Sequence, residues 1–422
     1  MFDCISILNG PYANKLSICM LGVWVHVPFT NYILTKNDAQ TFNFKNATSV
    51  VIPNSVTSIG HNVFKDCIAL SAVGIPTSVT CIGENAFFGC TALKYVTPCH
   101  GVTSIKIGAF KGCSSLVKFI IPQFVTCIHD STFENCSALT DMYIPTRVTW
   151  IGLKAFKGCK SLTKINIPDK VTCIHNSTFD NCSSLKEVNI TQHVKAIGCY
   201  AFSGCSSLTK VHIPKGVTYM GEGCFKGCGT LTEVRIPQSV DTITYNAFEE
   251  CSSLNAVHLH NNLSVIQHGA FRKCRSLVTI TIPNSVSYMD CEAFAYCSSL
   301  RVVIISSSYL HSNYIKFAEL THLSVLIVPC SVLKTLDVDY ASHLIPYCCI
   351  MGDSAYARSQ AMDAEYCILY TRPIFNSCEQ LWIFNILLAM TRLSFECQIS
   401  LPNEMIHSIL HNIKWSETTT LE

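Results

Sequence analysis

Cysteine is the residue type with the greatest chemical potential in this sequence. The 422 residues include 26 Cys and 15 His. Thiols can ligate zinc, form disulfides or act as nucleophiles, and their spacing decides among these roles. Eleven of the cysteines recur every 23 residues and form what we call the cysteine column. Its members are Cys67, Cys90, Cys113, Cys136, Cys159, Cys182, Cys205, Cys228, Cys251, Cys274 and Cys297.

The spacing of the cysteine column argues against metal binding and against disulfides. Zinc sites need clustered ligands, such as two Cys separated by two residues, whereas here each repeat supplies one. A column in register points neighbouring thiols in parallel directions, while a disulfide needs facing geometry. We interpret the column, and the second set Cys81, Cys127 and Cys173, as free thiols that pack as small hydrophobic groups. So many free thiols are typical of a reducing compartment, which predicts a cytoplasmic protein.

The remaining residues offer no catalytic or cofactor-binding constellation. The sequence contains no nucleotide-binding loop, no paired carboxylates within a unit and no plausible Cys–His nucleophile outside the column. His129 and His175 are 46 residues apart, too far for one metal ion, and we interpret them as marks of a two-unit duplication. We therefore predict no catalytic, cofactor-binding or metal-binding residue, and a protein that is not an enzyme.

Net charge and composition also restrict the class of partner. The formal net charge is +2, charged residues make up 14% of the chain, and no long run of one sign occurs. This gives no electrostatic reason to expect nucleic acid as a partner. The apolar run Leu381–Met390 is about half the ~20 residues that a membrane-spanning helix needs, so no membrane span is expected.

The elements that must position the cysteines are copies of one 23-residue unit. A Phe precedes each column Cys by three residues, and a Leu follows it by three. The unit is I-P-x-x-V-T-x-I-G-x-x-A-F-x-x-C-x-S-L-x-x-V-x. The central copies supply the predicted repeat core, namely Phe133, Cys136, Leu139, Phe156, Cys159, Leu162, Phe179, Cys182 and Leu185.

Each position of the unit has a physical role. Leu162, Ile165 and Ile167 predict one short strand whose alternate side chains enter the core. Pro168 then ends the strand, because proline cannot donate a hydrogen bond to a neighbouring strand. Val and Ile of V-T-x-I supply the opposite wall, and Phe fills the middle. One unit cannot bury its apolar face alone, whereas stacked units can. The pattern predicts an α/β repeat solenoid with short parallel strands.

This unit resembles the BspA-like (treponemal-type) leucine-rich repeat family. The resemblance covers about residues 50–330, and the motif is highly specific for the fold. It is weak for function because the family is defined by architecture. The resemblance implies a binding or adhesive surface and carries over no catalytic residues.

Three segments are predicted along the chain. Residues 1–49 form an N-terminal segment or cap, and residues 50–330 form the solenoid with eleven clear units and a degenerate twelfth. Residues 331–422 form a small, mainly helical C-terminal cap, with one helix at Glu379–Arg392. A second helix resembles the opening helix of F-box motifs, and a simple capping role is the alternative. The residues that carry this resemblance are Leu401, Pro402, Glu404, Ile409 and Leu410.

The outward positions of the strands are the candidate partner-binding surface. They lie two and four residues after each repeat Leu, and we call them the strand face. The alternating charges Lys164, Glu187, Lys210 and Glu233 predict either a self-neutralising ladder or a polar recognition strip. The second column varies between copies and is the better candidate for recognition, since Tyr and Arg are favoured at interfaces. Its candidate residues are Tyr143, Asn166, Asn189, His212, Arg235 and His258.

These observations predict a monomeric, non-catalytic scaffold in the cytoplasm that binds an unknown protein. Two alternatives remain open. One is a secreted or cell-surface adhesin, as the family resemblance allows. The other is a substrate receptor of a ubiquitin ligase, recruited through the F-box-like helix.

Overall fold

The computed structural model describes residues 11–306, 323, 325–329, 345–346 and 366–370. The predicted helix Glu379–Arg392 and the F-box-like segment from Leu401 lie outside these residues. The chain divides into two compact units. The first comprises Met1–Thr232 and Thr244–Ser252, and the second comprises Glu233–Ile243 and Ser253–Glu422.

An antiparallel hairpin opens the described part of the first unit. Its strands, β1 (Lys15–Met20) and β2 (Val23–Pro28), join through Leu21 and Gly22, both at positive φ, as a tight hairpin turn requires. Strand β1 also pairs antiparallel with β4 (Ser49–Val51), the first of the parallel repeat strands. The partly buried Trp24 packs against the end of the repeat core. The hairpin therefore covers the first coil of the solenoid.

Each repeat places a short extended segment directly after its Leu, as the sequence predicts. Strand β12 (Lys164–Asn166) shows the pattern, because Ile165 is buried while Lys164 and Asn166 are exposed. Strands of this row that pair are parallel and lie one repeat apart, so that Ile165 lies opposite Val188. In the first unit these strands are β4, β6 (Ala72–Gly74), β8 (Tyr95–Val96), β12 (Lys164–Asn166) and β14 (Glu187–Asn189). In the second unit they are β17 (Glu233–Arg235), β19 (Ala256–His258), β21 (Thr279–Ile282), β23 (Val302–Ile305) and β24 (Val325–Pro329).

The V-T-x-I segments form a second row of parallel strands, each of two residues. The sequence predicts their Val and Ile as the opposite wall, and both are buried, as Val125 and Ile128 show. In the first unit these strands are β3 (Ile33–Leu34), β5 (Ser58–Ile59), β7 (Cys81–Ile82), β9 (Ser104–Ile105), β10 (Cys127–Ile128), β11 (Trp150–Ile151), β13 (Cys173–Ile174), β15 (Ala196–Ile197) and β16 (Tyr219–Met220). In the second unit they are β18 (Thr242–Ile243), β20 (Val265–Ile266) and β22 (Tyr288–Met289).

A continuous stack of phenylalanine rings fills the interior of the first unit. Successive rings are nearly parallel, with centroids 4.9 Å apart at Phe64–Phe87 and 5.5 Å apart at Phe156–Phe179. The stack begins at Phe44, 4.9 Å from Phe64, although Phe44 does not follow the 23-residue period. The predicted core is confirmed, since every one of its residues is fully buried: Phe133, Cys136, Leu139, Phe156, Cys159, Leu162, Phe179, Cys182 and Leu185.

Helix contributes little to the described part of the chain. It consists there of α1 (Lys36–Thr41), which has a capping box at Thr35, and a single 3-10 turn (Phe44–Asn46). Turns rather than helices carry the A-F-x-x-C segments on the third side of each coil. No helix within this part has the length and apolar character needed to cross a membrane. The predicted leucine-rich repeat solenoid is confirmed. Its units consist of turns and short strands, with less helix than the predicted α/β class implies.

The second unit ends its parallel strands with an antiparallel pairing. Strand β24 pairs in parallel with β23 and antiparallel with β26 (Tyr366–Tyr370). Strand β25 (Ile345–Pro346) pairs antiparallel with β26. The described residues of the predicted C-terminal segment, 331–422, are therefore strands.

Candidate functional site

The strand face of the first unit is exposed along several consecutive coils. Exposed and buried residues alternate along these segments, so each outward residue lies between two residues whose side chains pack in the core. The register places Lys164 beside Glu187, and Asn166 beside Asn189. The exposed candidate residues of this unit are Tyr143, Lys164, Asn166, Glu187, Asn189, Lys210 and His212.

Two neighbouring residues of the charged column in the first unit form an ion pair, as expected for a self-neutralising ladder. Lys164 Nζ lies 3.3 Å from Glu187 Oε2, and both side chains are well exposed. In the same column, isolated parallel β-bridges pair the backbone of Lys118 with that of Asp141, and the backbone of Asp141 with that of Lys164. An exposed pair of this kind contributes about 0–1 kcal/mol. These side chains remain accessible for exchange with a partner.

In the second unit the candidates Glu233, Arg235 and His258 contact one another. Glu233 Oε1 lies 2.7 Å from Arg235 Nη2 and 3.0 Å from His258 Nε2. The carboxylate contacts the Arg235 guanidinium and the His258 imidazole on the outer surface of β17 and β19. A partner that binds Arg235 must therefore displace Glu233 from it, which lowers the free energy gained by binding at this position.

Sequence reasoning missed an apolar group at one end of the strand face in the first unit. Ile120 occupies the same column as Tyr143, one repeat earlier, and is 49% exposed. Val117 and Phe124 of the same coil, and Tyr95 of the preceding coil, are also exposed. We call these five residues the apolar patch. Ile120 could have been found in the sequence by extending the Tyr143 column by one repeat.

The cysteine column has a second structural role beyond packing. The thiol of Cys90 donates a hydrogen bond to the carbonyl oxygen of Phe64 in the preceding coil, with Sγ–O 2.9 Å. The same contact recurs along the first unit, for example from Cys159 to Phe133 at 3.2 Å. Each of these carbonyls also accepts a backbone amide in its own coil, such as Cys67 N to Phe64 O. The column therefore links each coil to the next.

Burial makes the column thiols chemically inert. Desolvation raises the pKa of Cys67 to about 11 and that of Cys251 to about 12. It also raises the pKa of Cys159 and Cys182 well above the usual value of a thiol. The described cysteines are free, as predicted. A thiol that stays protonated is neither a good nucleophile nor a metal ligand, so the column is structural.

His129 and His175 lie on the outer surface of the second row of strands. Desolvation lowers the pKa of both imidazoles, and Lys106 lowers that of His129 further. Trp150, from the coil between them, packs against His175 with ring centroids 4.0 Å apart. The described residues contain no group of three or more His, Cys, Asp or Glu arranged to hold a metal ion.

Buried ion pairs occur on the turn side of the first unit, where the sequence analysis named no residue. Glu134 Oε2 lies 2.9 Å from Lys111 Nζ, and Asp180 Oδ2 lies 2.8 Å from Lys157 Nζ. Both carboxylates follow the repeat Phe directly and are buried. Burial raises the pKa of Glu134, but Lys111 and the hydroxyl of Ser131 outweigh this effect and hold the pKa below its usual value. These pairs join adjacent coils.

Comparison with known proteins decides the family. The model for the BspA type leucine rich repeat region matches in six copies, over residues 35–152, 126–255 and 218–337. The chain belongs to the BspA-type leucine-rich repeat family. This family and its fold are those of leucine-rich repeat scaffolds. No curated protein gives a significant match.

Several solved leucine-rich repeat proteins are similar to this chain. A leucine-rich repeat protein from Bacteroides ovatus is 27% identical, with a TM-score of 0.58, and the match covers 70% of this chain and 80% of that one. A leucine rich cell surface protein from Faecalibacterium prausnitzii is 27% identical over 69% and 86% of the two chains, with a TM-score of 0.47. The T. pallidum leucine rich repeat protein is 30% identical over 39% of this chain and 78% of that one, with a TM-score of 0.37.

Proposed function

We propose that this BspA-type protein is a non-catalytic scaffold that binds another protein through its strand face. One observation carries the proposal: exposed side chains of differing chemistry stand on a fixed repeat framework. Tyr143, Asn166, Asn189 and His212 are exposed on consecutive coils, whereas the neighbouring core positions repeat almost unchanged. Rigid strands that present varied polar and aromatic groups are suited to protein recognition.

The chemistry of the described residues supports a binding role rather than catalysis. The buried column thiols have strongly raised pKa values. The imidazoles of His129 and His175 lie two coils apart, and the rings of Trp150 and His175 pack together. Acid–base or nucleophilic catalysis needs activated groups within hydrogen-bonding reach of one another. These groups are instead engaged in packing.

Site-specific photo-crosslinking in the native host tests the proposed surface. A benzophenone amino acid replaces Asn166 on the strand face or, as a control, the exposed Lys195 beside the second row of strands. We expect discrete protein adducts from the Asn166 position and none from the Lys195 position. Equal adducts from both positions, adducts from Lys195 alone, or no adducts would contradict the proposal.

We also propose that the protein works in the cytoplasm, and the free state of the described cysteines supports this. A free-thiol count by intact mass, on denatured protein from the native host, tests it. Mostly free thiols would support the proposal. Extensive oxidation, or attached glycans, would instead favour the secreted or cell-surface alternative. The ubiquitin-ligase alternative depends on residues outside the described part of the chain and stays a prediction.

A further inference from the structure

The apolar patch comprises five large exposed side chains on three consecutive coils of the first unit. Tyr143 is 69% exposed, and the other four are between 44% and 49% exposed. Single exposed apolar residues are normal on a protein surface, whereas a cluster of them marks an interaction site. The members are Tyr95, Val117, Ile120, Phe124 and Tyr143.

The fold does not require apolar side chains at these positions. The inward neighbours Phe119 and Ile121 already fill the core beside Ile120, and Met142 and Ile144 do so beside Tyr143. The ring of Phe119 packs against the stacked pair Phe110 and Phe133, with centroids 4.7 Å from Phe110 and 5.3 Å from Phe133. In the next coils the same outward column carries Asn166 and Asn189 instead. Packing therefore gives no reason for Ile120 or Tyr143.

Cations surround the apolar patch. Lys94, Lys118 and Arg147 are all exposed, and within the described part of the chain no carboxylate lies within 4.0 Å of their cationic groups. The guanidinium of Arg147 lies 5.8 Å from the centroid of the Phe124 ring, so it sits at the edge of the patch. Asp141 is flanked in its column by Lys118 and Lys164. The rim of the patch is thus predominantly positive.

We propose, on the basis of the protein-binding function above, that the apolar patch docks a short acidic segment of a partner protein. Such a segment places one large aliphatic or aromatic side chain against Ile120 and Tyr143. Its Asp or Glu side chains meet Lys94, Lys118 and Arg147. Aromatic surface groups and arginine are the residues from which interfaces draw most of their binding energy, and complementary charge gives specificity.

The charge of the rim argues against a second copy of the chain as the occupant. A two-fold interface places the same surface on both partners. Lys94, Lys118 and Arg147 would then approach their own equivalents, and like charges brought together disfavour association. An acidic partner segment removes this repulsion and neutralises the rim.

Selection from a displayed library of random dodecapeptides on the full-length chain tests the proposal. We expect enriched peptides to combine a large apolar residue with two or more Asp or Glu. The double variant Ile120→Ser/Tyr143→Ser should weaken their binding by about tenfold or more. The control Ile68→Ser/Ile107→Ser, which replaces two exposed apolar side chains outside the strand face, should change it by less than about twofold.

A charge reversal supplies an independent readout. The variant Lys94→Glu/Lys118→Glu should select peptides rich in Lys and Arg instead of acidic ones, and all substituted side chains are exposed, so the fold should persist. Enrichment without an acidic bias, or affinity unaffected by Ile120→Ser/Tyr143→Ser, would overturn the proposal. So would a dimer that these same two substitutions dissociate. None of these outcomes bears on crosslinking from Asn166, which tests the proposed function separately.

Discussion

The side-chain oxygen of Asp130 occupies the space that a side chain on Gly152 would need. Asp130 Oδ1 accepts a hydrogen bond from the backbone amide of Leu153, with N–O 2.8 Å, and a Cβ on Gly152 would lie 2.2 Å from that oxygen. Two repeats later, Asn176 Oδ1 accepts a hydrogen bond from the backbone amide of Cys199 in the same way. A Cβ on Gly198 would lie 2.5 Å from this oxygen. Neighbouring coils are therefore matched residue by residue.

We expect Gly152→Ala to destabilise the protein by about 1–3 kcal/mol, because the added methyl displaces the Asp130 carboxylate and weakens its hydrogen bond to Leu153. Chemical denaturation measures the change. Gly229→Ala is the matched control, since its Cβ would meet nothing closer than Ser252 Oγ at 3.5 Å. Equal losses for the two variants would contradict the steric explanation.

Removing one ring from the phenylalanine stack should have a larger effect. Phe179 is fully buried between Phe156 and Phe202, with centroids 5.5 Å and 5.3 Å away. We expect Phe179→Ala to lower the free energy of unfolding by about 3–5 kcal/mol. Phe124→Ala removes an exposed ring and should cost far less. A loss below that of Phe124→Ala would show that the stack is not the core.

The thiols should separate into two classes of reactivity. Cys159 and Cys182 are fully buried with raised pKa values, whereas Cys81 and Cys127 are partly exposed. A short pulse of iodoacetamide on the native protein should modify Cys81 and Cys127 first. Cys159 and Cys182 should react after denaturation. Peptide mass mapping gives the order, and comparable labelling of all four in the native state would contradict it.

Glu134 should make stability depend on acid pH. Its pKa is lowered in the folded state, so its contribution is present above the unfolded pKa, about 4.3, and is lost as the pH falls through the folded pKa. At pH 7 we expect Glu134→Gln to cost about 1–3 kcal/mol. In denaturation experiments the difference from wild type should be nearly complete at pH 5 and should shrink at pH 4 and again at pH 3.

The exposed pair Lys164–Glu187 provides the control for the Glu134 experiment. Both of its side chains are more than half exposed. We expect Glu187→Gln to change stability by less than about 1 kcal/mol at pH 7, since solvent and salt screen the pair. A larger effect from Glu187→Gln than from Glu134→Gln would show that burial does not govern these contacts.

The periodic part of the fold was predictable because Phe, Cys and Leu recur at the same positions in every copy. Phe179 and Leu185 are assigned to the core because they recur in eleven equally spaced copies, and the structure buries both. Phe44 starts the ring stack but precedes Phe64 by 20 residues, so the period does not reveal it. The second row of strands escaped prediction as strands because two residues, as in Ser58–Ile59, are too few to show alternation.

Contacts between coils could not be predicted from the sequence. Asp130 and Gly152 are 22 residues apart, and their fit depends on the stacking offset rather than on residue type. The hairpin β1–β2 precedes the periodic part, and its strand β1 pairs with the first repeat strand, β4. Whether the predicted strand-face residues bind a partner depends on an unidentified molecule, so that part of the site stays a prediction.

The fit between Asx and glycine also limits how this gene segment can change in length. Deleting the single coil that contains Gly152 would set Asp130 against His175, whose Cβ would meet the carboxylate. Deleting this coil together with the next would instead set Asp130 against Gly198, which has no Cβ. At this point the fit therefore favours a change in length of two repeats over one, in keeping with the recurrence of His129 and His175 at twice the basic period.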